Sequence, residues 1–480
     1  MKNELSMSLT STSDAPGRTR RCSGKWLLIA AAAVTLAGCA STAIDRNFAS
    51  VQQLSQERLG SEVKWLTTDE ARRQAQADVD AMLARPLGGD DAVRIALAYS
   101  PALQAMLYEG AANSASATRS ARLPNPVFAF ERLVRGDAGV RELELTRSLS
   151  FSVFDLLLLP AKLRLADYQQ QAGRLTLASN VVQAATEARQ AWVAAVAAQQ
   201  SVLYVRQVKA AADASAELAR RMQAVGNYSK LQRIREQAFA ADAVAQLARA
   251  MQTARSTRET LVRALGLNDQ QAAALTLPER LPDLPATPKD EATVARAAMA
   301  QRLDVRLAQA NLAFVAREQG LTRVTSIVNG LDVGVIRKSE TGLAPQKGVE
   351  LSVPLPLFDF GDASRAHAQA TYMAAFNRAA QLAMDAGSQV RETYGAYRTS
   401  YDIARHYRDE IVPLRKTIAE ENLLRYNAML IGVFELLADS HEEIASVVQA
   451  IDAQRDFWLA DAGLQATLIG RPLNLLTESK

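Results

Sequence analysis

Cysteine and histidine are nearly missing from this chain, with two of the first and three of the second in 480 residues. Cys22 lies in a leader-like N-terminal segment, so the mature chain keeps one cysteine and can form no internal disulfide. His406 has Asp402 and Glu410 at helical spacing but no second His or Cys four residues on, and His441-Glu442-Glu443 is not the His-Glu-x-x-His zinc pattern. Both histidines are read as lying on solvated helix faces. Gly-rich phosphate loops and nucleophile elbows are absent as well, so the reading is no enzyme, no cofactor and no metal site. Beyond the leader no apolar run approaches the 18 residues of a membrane-spanning helix. Charge of one sign is also lacking. The net charge is +4, but residues 1–38 carry five basic against two acidic side chains, which leaves the rest close to neutral. The basic surface that nucleic-acid binding needs is not there.

What is present begins with the leader. Basic residues from Arg18 to Lys25 precede an apolar run from Trp26 to Ala37. That run is too short to cross a ~30 Å hydrocarbon core as a helix, and it reads as a secretory signal. It closes on Leu36-Ala37-Gly38-Cys39, which resembles the lipobox of bacterial lipoproteins. The resemblance implies that residues 1–38 are removed, that Cys39 is lipidated (palmitate included), and, with Ala40 following, that the protein is sorted to the outer membrane. The acyl chains would be its one covalent lipid and would hold it on a membrane.

Residues 39–89 read as a polar, tethered lead-in. From Asp90 the apolar spacing of Val93, Ala96, Leu97, Leu103, Met106 and Leu107 predicts helix, capped by Asp90-Asp91 and broken at Pro101. After Pro124-Asn125-Pro126 the period changes to two. Phe128 and Phe130 alternate with Ala129 and Glu131; Leu143, Leu145, Leu149 and Phe151 alternate with Glu142, Glu144, Thr146, Ser148 and Ser150. These are strands at about 125–134 and 141–152, joined by the turn residues 135–139, with one apolar and one polar face. No proline interrupts 161–277, and from Pro160 to Gly226 an unbroken helix would run ~100 Å. A second arm returns from about 230, giving a long hairpin with its tip near 226. Residues 278–290, with four prolines, read as a linker.

The pattern then recurs over 291–470, with strands expected at about 328–337 and 347–356 and a hairpin tip near 429, followed by a tail at 471–480. Glu144-Leu145 matches Glu350-Leu351, Phe154-Asp155 matches Phe358-Asp359, Tyr168 matches Tyr372, Arg189 matches Arg391, and Gly226 matches Met429, all 202 to 206 residues apart. The chain is a tandem duplication of helix, two strands, long helix and returning helix, the first copy spanning 90–277. Four strands cannot close a barrel, and an open edge in lipid costs several kcal/mol per unpaired group. Identical copies must therefore pool their strands, and three would supply twelve. The stripe Tyr394, Tyr397, Tyr401, Ala404, Tyr407, Ile411, Leu414 and Ile418 reads as a helix-packing seam. The rival architecture is a lipid-anchored periplasmic scaffold or adhesin of helical hairpins. Its sheets would be soluble, with Leu143, Leu145, Leu351 and Val353 packed inward on helices.

With the duplication, the Pro-Asn-Pro entry, Val353-Pro354-Leu355-Pro356-Leu357-Phe358-Asp359 and the segment Tyr426 to Leu437, the chain resembles the TolC-like outer-membrane efflux proteins over about 90–470. The resemblance implies a mainly α chain with a small β part. It also implies a homotrimer whose twelve-strand barrel in outer-membrane lipid continues as a long periplasmic α-helical barrel. Its partners would be a periplasmic adaptor and an inner-membrane pump. The adaptor-contacting tips would be Gly226, Asn227, Tyr228 and Ser229 with Met429, Leu430, Ile431 and Gly432. Glu435 matches the family's acidic constriction, whereas a second ring acid falls on Ala438, beside Asp439. Tyr426 is kept from the family's latch, but Gln232 and Ile431 replace its other two members, so that latch cannot operate here as known.

Overall fold

The computed structural model describes residues 39–137, 140–294, 296, 302–326 and 330–470. The expected signal peptide and C-terminal tail lie outside the described residues. Helices α1 (Cys39–Leu59), α2 (Asp69–Leu83), α3 (Gly89–Tyr99) and α4 (Pro101–Ser120) lead into strands β1 (Val127–Asp137) and β2 (Val140–Ser152). Then come α5 (Val153–Ala224), α6 (Lys230–Leu265) and the short α7 (Asp269–Ala274). The second half holds α8 (Leu303–Thr325), β3 (Asp332–Glu340), β4 (Gln346–Ser352), α9 (Asp362–His406), a π-helical turn (Tyr407–Ile411), α10 (Val412–Asn427) and α11 (Val433–Ile469). The duplication is explicit in the returning arms, since α6 starts at Lys230 and α11 at Val433.

Proline sets two of the strand ends that differ from expectation. Pairing starts at Val127, opposite Ser150, because Pro126 has no N–H to give. Strand β4 stops at Ser352, short of the expected 356, because Pro354 and Pro356 cannot continue a ladder. Strand β3 runs from Asp332 to Glu340, past the expected 337, while the expected start at 328 lies outside the described residues. Proline is tolerated elsewhere: Pro160 sits within the 72-residue helix α5 rather than before it. In the second half Pro413 cannot donate to the carbonyl four residues back, and the five-residue π turn stands immediately before it.

Three further expectations are corrected. The lead-in is no loose tether. Val51 and Val63, both fully buried, pack with Val93, Leu97, Leu103, Leu107 and Val181, and Leu87 accepts a 2.7 Å hydrogen bond from Trp192 Nε1. The proline-rich 278–290 segment is an ordered strap rather than a linker. Leu281 and Leu284 are buried, the Pro282 carbonyl accepts from Trp458 Nε1 at 3.0 Å, and Tyr401 donates to Pro285 O at 3.0 Å. A proline-rich backbone has few donors to satisfy, so its carbonyls can serve the helices beneath. The N-cap of α3 is Gly88, not Asp90-Asp91. Asp91 instead pairs with Arg85 and Arg94, and Asp90 with Arg189 of α5 at 2.6 Å.

The tyrosine seam divides at the π turn. Above it Tyr397, Tyr401 and Ala404 are buried against Phe457, with Tyr394 and Tyr407 half-buried at the margin. Below it Leu414 and Ile418 face outward, at 62% and 42% exposure, so the stripe is left uncovered within the chain.

Where α9 begins, the backbone turns tightly. Gly361 opens α9 with φ 72°, held by its N–H donating to Asp359 Oδ1 at 2.7 Å. A Cβ there would lie 2.4 Å from the Ser326 carbonyl oxygen. Gly361→Ala therefore combines a left-handed φ with a backbone clash. It should destabilise by about 2–3 kcal/mol, read as a melting temperature lowered by several degrees in circular dichroism.

Candidate channel wall and helical tips

The four strands form one antiparallel sheet in the order β1-β2-β3-β4. The register fixes its faces, since directly paired residues point the same way. Phe128 pairs with Leu149, Leu149 with Val335, and Val335 with Val349; one step toward the helices, Phe151 pairs with Val333 and Val333 with Leu351. That face is apolar and uncovered: Phe128, Val335, Val349 and Leu351 are 61–77% exposed. The opposite face carries Glu131, Glu142, Glu144, Asp332, Glu340 and Glu350 against Arg135 and Lys338, with Lys338 paired to Glu144 at 2.6 Å. The soluble alternative needs Leu351 and Val353 packed against helices, and both are exposed. The outer edges of β1 and β4 have no strand partner among the described residues.

At the far end of the helices the two tips are built alike. In the first, Asn227 N–H donates to Met222 O and Gly226 N–H to Gln223 O, with Gly226 at φ 81°. In the second, Leu430 N–H donates to Arg425 O and Met429 N–H to Tyr426 O, with Met429 at φ 60°. Both are Schellman turns, and Met429 holds a conformation that costs a side-chain-bearing residue roughly 1–2 kcal/mol. Met429 and Leu430 are 92% and 74% exposed.

The other predicted site residues divide by environment. Gln232 forms a capping box with Ser229: its Oε1 accepts from Ser229 N–H at 2.8 Å, and Ser229 Oγ accepts from Gln232 N–H at 3.2 Å. Tyr228 is buried against Ala219 and Met222. Burial, then the Glu236 charge and Tyr426, push its phenol pKa upward. Tyr426 itself is partly exposed, and Glu435 is exposed in the first turn of α11, where a carboxylate complements the helix dipole. Asn227, Ile431 and Gly432 lie in the turns; Asp439 accepts a hydrogen bond from Asn422, which ties α10 to α11.

Two residues behind the tips escaped the sequence reading. Glu236 is buried and accepts from Ser215 Oγ at 2.5 Å. Its signal was available: it shares a face with Phe239 and Ala243 at helical spacing, a carboxylate in an otherwise apolar stripe. His441 is not on a solvated face but stacks on Phe239, ring centroids 3.4 Å apart, joining α11 to α6. His406 does lie exposed, 3.3 Å from Glu410.

The chain shares its fold with solved outer-membrane channels. Among solved structures, it is similar to a membrane protein from Pseudomonas aeruginosa, with TM-score 0.67, 18% identity and coverage of 85% of this chain and 95% of that one. The CmeC outer membrane channel of Campylobacter jejuni gives TM-score 0.68 at 14% identity, covering 82% and 87%. The outer membrane protein VceC of Vibrio cholerae gives 0.64 at 14%, covering 84% and 98%. No family model matches the chain, and no curated protein matches it by sequence.

Two predictions follow from the tips. Met429→Gly should relieve the left-handed strain and stabilise the hairpin by up to about 1 kcal/mol, measured as a higher melting temperature. Burial lowers the His441 pKa below its ordinary value, although Glu236 and Glu442 oppose this. The neutral stack is thus fully stabilising above about pH 6.5 and weakens as pH falls through the lower folded value. Thermal melts at pH 7.5 and pH 5 should differ less in His441→Phe than in the parent.

Proposed function

We propose that the chain is the outer-membrane conduit of a tripartite export system, working as a passive homotrimer. One observation carries the reading: a four-stranded sheet with two unpaired edges and an uncovered apolar face. Strand direction alternates from β1 to β4, so β4 of one copy meets β1 of the next still antiparallel, and an even strand count lets three copies close. The apolar face then meets lipid, while the acid-rich face lines a lumen that favours cations. Lipidation at Cys39 places the anchor at the first residue of α1.

The helical hairpins extend this lumen into the periplasm. Gly226 to Ser229 and Met429 to Gly432 meet the adaptor, with Met429 and Leu430 as the exposed apolar contacts and Tyr228 as a buried support. Glu435, Tyr426 and Gln232 narrow the tunnel mouth, which opens when adaptor and pump engage. Cargo is selected by the pump. In planar bilayers the purified, heat-modifiable trimer should conduct and prefer cations, and Glu435→Gln should lower that preference. A protein that stays monomeric and soluble once its lipid is removed would overturn the reading.

A further inference from the structure

The apolar face of the sheet carries a second pattern. One step beyond the Phe128–Leu149–Val335–Val349 row, away from the helices, Phe130 pairs with Arg147, Arg147 with Arg337, and Arg337 with Lys347. Three basic side chains thus stand abreast on neighbouring strands, all exposed. Arg132 occupies the next row outward on the same face, opposite Leu145. Among the described strand residues no acid stands on this face, and none of the three basic residues of the row has an ion-pair partner.

Like charges directly opposite one another destabilise a sheet. This sheet does neutralise charge elsewhere, as Lys338 and Glu144 show on the other face. The ladder therefore calls for an anion from outside the chain. Its neighbours define what kind. Toward the helices lie rows of Phe, Leu and Val, continued by exposed Leu157, Leu355, Leu357 and Phe358. From Arg147 to the start of α5 is six residues, or ~20 Å of strand, comparable with the ~25 Å apolar band of outer-membrane barrels. A matching ligand has acyl chains along that band and phosphates at its outer rim. Guanidinium groups bind phosphate bidentately, and adjacent strands ~4.8 Å apart suit a headgroup with more than one phosphate.

We propose that Arg147, Arg337 and Lys347 form a binding row for a phosphorylated glycolipid of the outer leaflet, repeated once per copy around the barrel. This rests on the membrane-barrel reading above. The test uses the full-length trimer in phosphatidylcholine nanodiscs containing lipid A, with bound lipid A counted per trimer by native mass spectrometry. Parent trimer should retain it, and the triple variant Arg147→Gln, Arg337→Gln, Lys347→Gln should retain at least tenfold less while staying heat-modifiable and conducting. The charge-conserving Arg147→Lys, Arg337→Lys should lose only part of it, since lysine keeps the charge but not the bidentate fork, whereas Lys338→Gln on the opposite face should keep most of it. Equal retention by the triple variant overturns the proposal. So does equal loss in either control variant, or inorganic phosphate bound as tightly as lipid A. Failure of the parent to form a conducting trimer would overturn the barrel reading and this proposal with it, whereas a conducting trimer that holds no lipid A overturns this proposal alone.

Discussion

The constraint that organises this molecule is the unpaired backbone along β1 and β4. Every other strand edge in the sheet is hydrogen-bonded within the chain, so these two rows of N–H and C=O groups are what a solitary copy cannot satisfy. Soluble proteins blunt such edges with prolines, charges, bulges or a covering helix. Here the sheet instead leaves its apolar face bare, and among the described residues no helical layer lies over it. A surface that is apolar and open-edged fits the proposed setting, in which neighbouring copies supply the missing partners and lipid covers the face.

The helical part obeys a different logic. Long hairpins gain stability from packing along their length rather than from local propensity, and their buried stripes carry small residues such as Ala212, Ser215 and Ala219 on α5. Midway along their length they are reinforced by α1 to α4 and by the strap that takes hydrogen bonds from Trp458 and Tyr401. Toward the tips the supports shrink to small apolar clusters around Val208, Ala212 and Ala243 and around Ala219 and Tyr228, with the Phe239–His441 stack, the Ser215–Glu236 bond and the Asn422–Asp439 bond. Stability is therefore graded along the long axis, and the least supported end is the one proposed to open.

Much of this was legible in the sequence because it rests on periodicity. The alternation of Leu143, Leu145, Leu149 and Phe151 gave the strand and its faces, and the near-constant spacing of matched pairs gave the duplication. What was not legible depends on partners distant in sequence. Residues 39–89 look polar, yet Val51 and Val63 find Leu97 and Leu107; the proline-rich strap looks like a linker until Trp458 and Tyr401 are seen to donate to it. His441 looked solvated because its stacking partner lies about 200 residues away. The tip residues were placed by resemblance, and their chemistry was hidden from spacing: Gln232 closes a capping box, and Met429 takes the left-handed position that Gly226 takes in the first copy.

A sheet contributed as a fixed block of four strands also constrains what can evolve. In the proposed closed ring pore width would follow strand number, and that number could change only in whole-subunit steps or by remodelling every copy at once. A single substitution cannot widen the bore slightly. Adjustment of calibre is thereby transferred to side chains on the inner wall and to the helical mouth, where length, charge and tilt vary continuously while the girth of the cylinder stays fixed.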